Sequence, residues 1–109
     1  MKNKIATQTA QQGDVILKKI TSLPAGEQKI IARKKLVLAE GETTGHFHGI
    51  EESESELIQI GDKIILNLAK ASTLTHQEHN PIQLEAGMWE VGRVQEYDYF
   101  SKMVRQVQD

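Results

Sequence analysis

All four histidines of this chain fall in two short stretches, TGHFHGIE at 44 to 51 and LTHQEHNPI at 74 to 82. Imidazole titrates near neutrality and is the commonest nitrogen ligand to metals, so two clustered pairs point to acid–base or metal chemistry. His46 and His48 lie two apart. On an extended segment both rings then leave one face, about 7 Å apart, a chelating arrangement that sends Phe47 to the other side. His76 and His79 lie three apart, on opposite faces of a straight strand, and they meet only in a turn of the kind that Asn80 and Pro81 favour.

Brought to one place, His46, His48, His76 and His79 offer three or four nitrogen ligands to a borderline divalent cation and leave positions for water or substrate. Zn, Fe, Mn, Ni and Cu all suit such a set, and the general affinity order does not choose among them. Two other readings stand beside it: a metal-free pocket that grips a ligand through hydrogen bonds, and incidental surface histidines. Glu78, between His76 and His79, fits a partner that orients a ligand or a general base. Glu52 is the second candidate proton acceptor for a metal-activated water. The rest of the serine-punctuated run from Glu51 to Glu56 reads as a solvated loop. HQEH is not the helical zinc-protease motif, whose histidines are spaced differently, and Pro81 follows directly.

The elements that must position these groups are short apolar runs rich in Ile, Val and Leu: 14 to 20, 29 to 40, 56 to 60, 63 to 70, 81 to 84, 88 to 100 and 102 to 107. Such runs read as strands. Glycine stands in each of the breaks SLPAGEQ, EGETTG, GD at 61 to 62 and EAG at 85 to 87, as hairpins need, and QIGDKI is the sharpest hairpin. Ile64, Leu66 and Leu68 share one strand face. Val94 is out of parity with Trp89 and Val91, which predicts a bulge at Gly92. Residues 29 to 40 carry a competing helical spacing, but the flanking hairpin signals favour a long strand. Trp89, Tyr97, Tyr99 and Phe100 read as core and hairpin packing.

The expected fold is therefore all-β, a small single-domain barrel or sandwich. Residues 1–13 form a polar arm or edge strand, and 14–109 form one β-domain. With 109 residues there is room for one modest core, so function sits on its surface or mouth. Thirteen basic against fifteen acidic residues, with no dense cationic run, argue against nucleic acid. No cysteine is present, so a metal would take nitrogen and oxygen ligands. No apolar run is long enough to span a membrane and the N-terminus lacks the pattern of a signal peptide, so a cytoplasmic location is expected.

The run Gly41, His46, His48 and Glu52, followed by Gly61 and a later PIQLEAGMWEV hairpin, resembles the cupin arrangement. In cupins two histidines and a glutamate of the first motif join a histidine of the second around a metal inside a β-barrel. Here Glu85-Ala86-Gly87 stands in place of the second motif's Pro-x-Gly, and Glu90 in place of its histidine. The likeness implies a barrel and a metal, not an activity. The longer string from Gln12 to Tyr97, with QGDV, GHFH and HQEHNPIQLEAGMWEV, is similar to small proteins of bacteria and their phages that bring no function with them.

The leading expectation is a cupin-like metal-binding barrel, acting on an unknown small molecule if it is catalytic. A rival of another class is a structural or assembly protein of the phage type, a homo-oligomer with its histidines at a subunit interface; trimeric phage spike tips hold a metal with one HxH pair from each chain. A third is a metal-free ligand-binding module.

Overall fold

The computed structural model describes residues 5–40 and 45–94, and every element in them is a strand. In order these are β1 (Ile5–Ala6), β2 (Thr9–Gln12), β3 (Val15–Ile20), β4 (Gln28–Glu40), β5 (Phe47–Ile60), β6 (Lys63–Leu68), β7 (Ser72–Thr75), β8 (Ile82–Leu84) and β9 (Gly87–Arg93). Residues 29 to 40 are thus strand, not helix. Tyr97, Tyr99, Phe100 and the run 102 to 107 lie outside the described residues, as do 41 to 44 of the EGETTG break.

The long strand β5 organises the sheet. One edge of it pairs with β4 along almost its whole length, while on the other edge its C-terminal half takes β6 and Gly49 and Ile50 take β7. Two branches leave from there, β6-β9-β3-β2 and β7-β8-β1. Since β1 and β2 are consecutive, their shared segment draws the two branches together, and the sheet becomes a nearly closed barrel. The segment 5 to 12 therefore enters the sheet as two short strands, β1 parallel to β8 and β2 antiparallel to β3.

Closure makes one inside. Val15, Leu17, Leu36, Ile50, Leu57, Leu66, Leu68, Leu74, Leu84 and Trp89 form the main core, each at most 4% exposed. Each fully buried side chain of this kind contributes roughly 1.5–3 kcal/mol. Trp89 is wholly buried with its indole N–H donated to the Glu85 carbonyl at 3.0 Å, so it is a core residue. Ile58, Ile60 and Ile65 face the other way into a second cluster, with Ile20, Leu23 and Met88 against it. For this reason β6 is apolar on both faces and its alternation is incomplete.

Two local expectations change. β9 pairs with β3 in unbroken register through Gly92, and Val94 lies just past the strand with its N–H on the Asp14 carbonyl at 2.7 Å, so no bulge is needed. The irregularities lie in β4 instead, one of them at Lys34, whose φ is 72°. The acidic run 51 to 56 is strand rather than loop, because β4 sets basic side chains against it: Arg33 lies 3.6 Å from Glu56 and Lys35 4.0 Å from Glu51.

Candidate functional site

The register of β5 against β7 pairs Gly49 with Thr75, which places His48 directly opposite His76, one residue beyond the end of β7. Their ring centroids stand 4.4 Å apart. After His76 the chain bends through 77 to 79, as Asn80 and Pro81 suggest, and brings His79 back to 4.6 Å from His76 and 5.9 Å from His48. His46 precedes β5, after Gly45 with φ 84°, and meets His76 edge-on at 5.7 Å. All four histidines therefore gather in one cluster. His46 and His48 share a side as their parity requires, each against the ring of His76.

Three segments that the histidine motifs do not announce complete the surroundings. The turn Gly13-Asp14 joins β2 to β3 and lies beneath the cluster. Gly13 has φ 58°, and a Cβ there would stand 2.7 Å from His79 Nε2 and 3.2 Å from His48 Cε1, so only glycine lets the turn approach so closely. Gln12, 2% exposed, donates its two amide hydrogens to the carbonyls of Leu74 and Asn80, both at 3.0 Å, and so fixes the bend that follows β7. Gln77 accepts from the Phe47 N–H at 2.8 Å, tying that bend to the start of β5.

With both hydrogens committed, the Gln12 Oε1 is the atom that faces His48 Nδ1, at 2.9 Å. His48 must therefore carry its proton on Nδ1, which leaves Nε2 as the lone-pair nitrogen. That nitrogen lies 3.7 Å from Asp14 Oδ1. His48 itself is 2% exposed, and burial, followed by the neighbouring His76, pulls its pKa below the usual 6.5 against the pull of Asp14, so the ring is neutral at pH 7. Asp14 is the opposite case. The hydrogen bond from Arg93, against the opposing effect of burial, lowers its pKa, and it is a carboxylate. Arg93 Nε donates to Asp14 Oδ2 at 3.0 Å and its Nη2 joins the same oxygen, leaving Oδ1 on the side of His48.

His76 Nδ1 accepts the Glu78 amide N–H at 3.0 Å, so a neutral His76 carries its proton on Nε2. Glu78 Oε1 stands 3.7 Å from His46 Nδ1 with its side chain 69% exposed, while Glu52 on β5 lies 3.8 Å from Lys70. Of the two glutamates named from the sequence, Glu78 is thus placed beside the cluster.

Imidazoles bound to one cation have ring centres about 3.2 Å from it, and neighbours about 4.5–5.2 Å from each other, given metal–nitrogen bonds near 2.0–2.1 Å. The centroid separations here span 4.4 to 5.9 Å. Among the described residues no group of three or more His, Asp or Glu side chains is already aimed at a common point for a metal ion. The 4.4 and 4.6 Å separations are close to that range and the 5.7 and 5.9 Å ones exceed it, so the rings would have to draw together and turn to share one cation. His79 is exposed and His76 half-buried, so that adjustment involves exposed loop side chains rather than the core.

Fold and site together define a small β-barrel protein with a histidine cluster at one end of β5. The chain belongs to a domain family of unknown function, DUF8820, whose model matches residues 11–94, from just before Gln12 to just beyond Arg93. No curated protein and no solved structure matches the chain. Sequence reasoning missed Gln12, Asp14 and Arg93 as site residues. The available signal was the Gly-Asp dipeptide at 13 to 14, the same pair that marks the β5–β6 hairpin at 61 to 62.

Proposed function

We propose that this protein binds a divalent transition-metal ion through the histidine cluster His46, His48, His76 and His79. The observation that carries this reading is the state of His48: a buried, neutral imidazole whose Nδ1–H is held by Gln12, with Nε2 turned toward the other groups. Ligating histidines are held in this way, with the far N–H donated to an oxygen that fixes tautomer and orientation. The absence of cysteine and the cupin-like spacing of His46 and His48 agree with it. Bound there, the ion would supply an activated water, and Glu78, beside His46, is the nearer acceptor for its proton. A small molecule acted on at that position is part of the proposal; its identity is not.

The phage-type interface reading requires both histidines of the HxH pair to reach a symmetry axis. His48 at 2% exposure does not reach beyond its own chain, which favours a site within one subunit. A metal-free module remains as the outcome in which the cluster binds its ligand in the presence of chelator.

The test is elemental analysis of untagged protein, then titration of chelator-stripped protein with Zn, Mn and Fe. Metal in the purified protein, or micromolar or tighter uptake lost in His48→Ala, is expected. No metal in the wild type and no uptake on titration would sink the reading.

A further inference from the structure

Resting on that reading, we propose that Asp14 is itself a metal ligand, through Oδ1, and that His48, His79 and Asp14 form the binding triad, with Arg93 as the residue that positions the carboxylate. Three independent features of the β2–β3 turn lead there.

The first is the pairing of acceptors. Nε2 of His48 and Oδ1 of Asp14 face each other at 3.7 Å, and the Gln12 oxygen at Nδ1 makes Nε2 the lone-pair nitrogen of the neutral ring. Two lone pairs in that relation repel unless a cation joins them, and cis ligands of one ion lie about 2.9–3.4 Å apart for bonds near 2.1 Å. A shift of a few tenths of an ångström closes the difference.

The second is Gly13. The position its missing Cβ would take has His79 Nε2 at 2.7 Å and His48 Cε1, next to Nε2, at 3.2 Å. Two imidazoles thus converge over the residue that precedes Asp14. His76, by contrast, has Nδ1 occupied by the Glu78 amide, so it must break that bond or lose its Nε2 proton to join them.

The third is how the carboxylate is held. Both Arg93 contacts go to Oδ2, and the Asp14 carbonyl accepts the Val94 N–H at 2.7 Å, so backbone and side chain are held with Oδ1 as the oxygen that faces His48. A ligand oriented through its other oxygen is the usual arrangement around metals. Two nitrogens and one carboxylate oxygen also change the expected ion: this donor set suits Mn, Fe or Zn better than a four-nitrogen set, which leans toward Cu and Ni.

The experiment uses the full chain, stripped with chelator and titrated with Mn and Zn in competition with a chromophoric chelator. Asp14→Asn keeps the shape and removes the charge, and is expected to weaken Mn binding by at least about 100-fold, beyond the 10–100-fold typical of outer partners. Arg93→Gln loses the same ion pair but keeps the ligand, and is expected to fall within that smaller range. In the wild type, the Asp14 side-chain carboxyl carbon, followed by NMR, should shift on Zn addition, a readout that does not depend on any variant folding. Unchanged binding in Asp14→Asn, or a Zn titration that moves the histidines and leaves that carbon still, overturns the triad while the histidine site stands. A wild type that takes up neither metal overturns both.

Discussion

Replacing Gln12 by Glu isolates the hydrogen-bond logic on which the state of His48 rests. The substitution keeps the side chain's size and the oxygen that accepts from His48 Nδ1, and it replaces the amide nitrogen by a second oxygen facing the carbonyls of Leu74 and Asn80, each 3.0 Å away. Two donated bonds vanish in a place where residue 12 is 2% exposed. Leaving buried acceptors unpaired costs about 1–3 kcal/mol each, so a deficit of roughly 2–6 kcal/mol at pH 8 is expected, out of the roughly 5–15 kcal/mol a domain typically has. The carboxyl can recover one bond by protonating, and burial raises its folded pKa above the unfolded value near 4.3. A raised acid binds more protons folded than unfolded, so the deficit is full above the folded pKa and shrinks as pH falls through it. Urea denaturation of both proteins in chelator at pH 8, 6.5 and 5.5 measures this. A deficit under about 0.5 kcal/mol at pH 8, or one that does not narrow on acidification, would refute the assignment of Gln12 as a two-bond donor and with it the tautomer of His48.

Gly13→Ala combines a positive φ of 58° with a Cβ 2.7 Å from His79 Nε2, so it should lower stability by about 1–2 kcal/mol and weaken metal uptake together, read by thermal melts with and without metal. The pH profile of wild-type stability carries the sign of the lowered His48 pKa: neutral in both states above 6.5, the ring protonates first in the unfolded chain, so stability should fall as pH drops below 6.5. His48→Gln should flatten that part of the melting-temperature curve, and a slope unchanged in the variant would show that other groups cause it.

The strands were readable because burial writes itself into periodicity and the turns into glycine. Leu17, Leu66 and Trp89 mark their strands by composition and neighbours alone, and Gly61-Asp62 marks the β5–β6 turn. Where the reading failed, the deciding partner lay far along the chain. Glu51 to Glu56 look solvated until β4 supplies Arg33 and Lys35 across the ladder. The short strand β7, Ser72–Thr75, is apolar at only one inward position besides a buried serine, and nothing local distinguishes it from a loop. The histidine pairs were visible by type and spacing, and the need for a bend after His76 followed from Asn80 and Pro81. Asp14 and Arg93 were not, because a lone aspartate and a lone arginine 79 positions apart acquire meaning only when β3 pairs with β9.

That dependence on pairing also explains why a site can stand at this end of so small a barrel. Val15 pairs with Arg93, Gly49 with Thr75 and Gln12 with Val15, so Asp14, His46, His48 and His76 are each within one or two positions of a hydrogen-bonded strand pair, and His79 alone stands further out, on the bend after β7. The ladders fix the backbone of 12 to 14, 46 to 48 and 93, and the Gln12 bonds to the Leu74 and Asn80 carbonyls hold the bend 76 to 79 against them. A cation bound by His48, His79 and Asp14 would join three of these segments and so stabilise the barrel in proportion to how far its concentration exceeds the dissociation constant, about 2.7 kcal/mol at a hundredfold excess. An incidental ion on the exposed His79 alone would join nothing. Metal that raises the melting temperature of the wild type and not of His48→Ala therefore marks a site anchored on β5, because an ion that needs His48 ties the loop after β7 to the strand that carries both branches of the sheet.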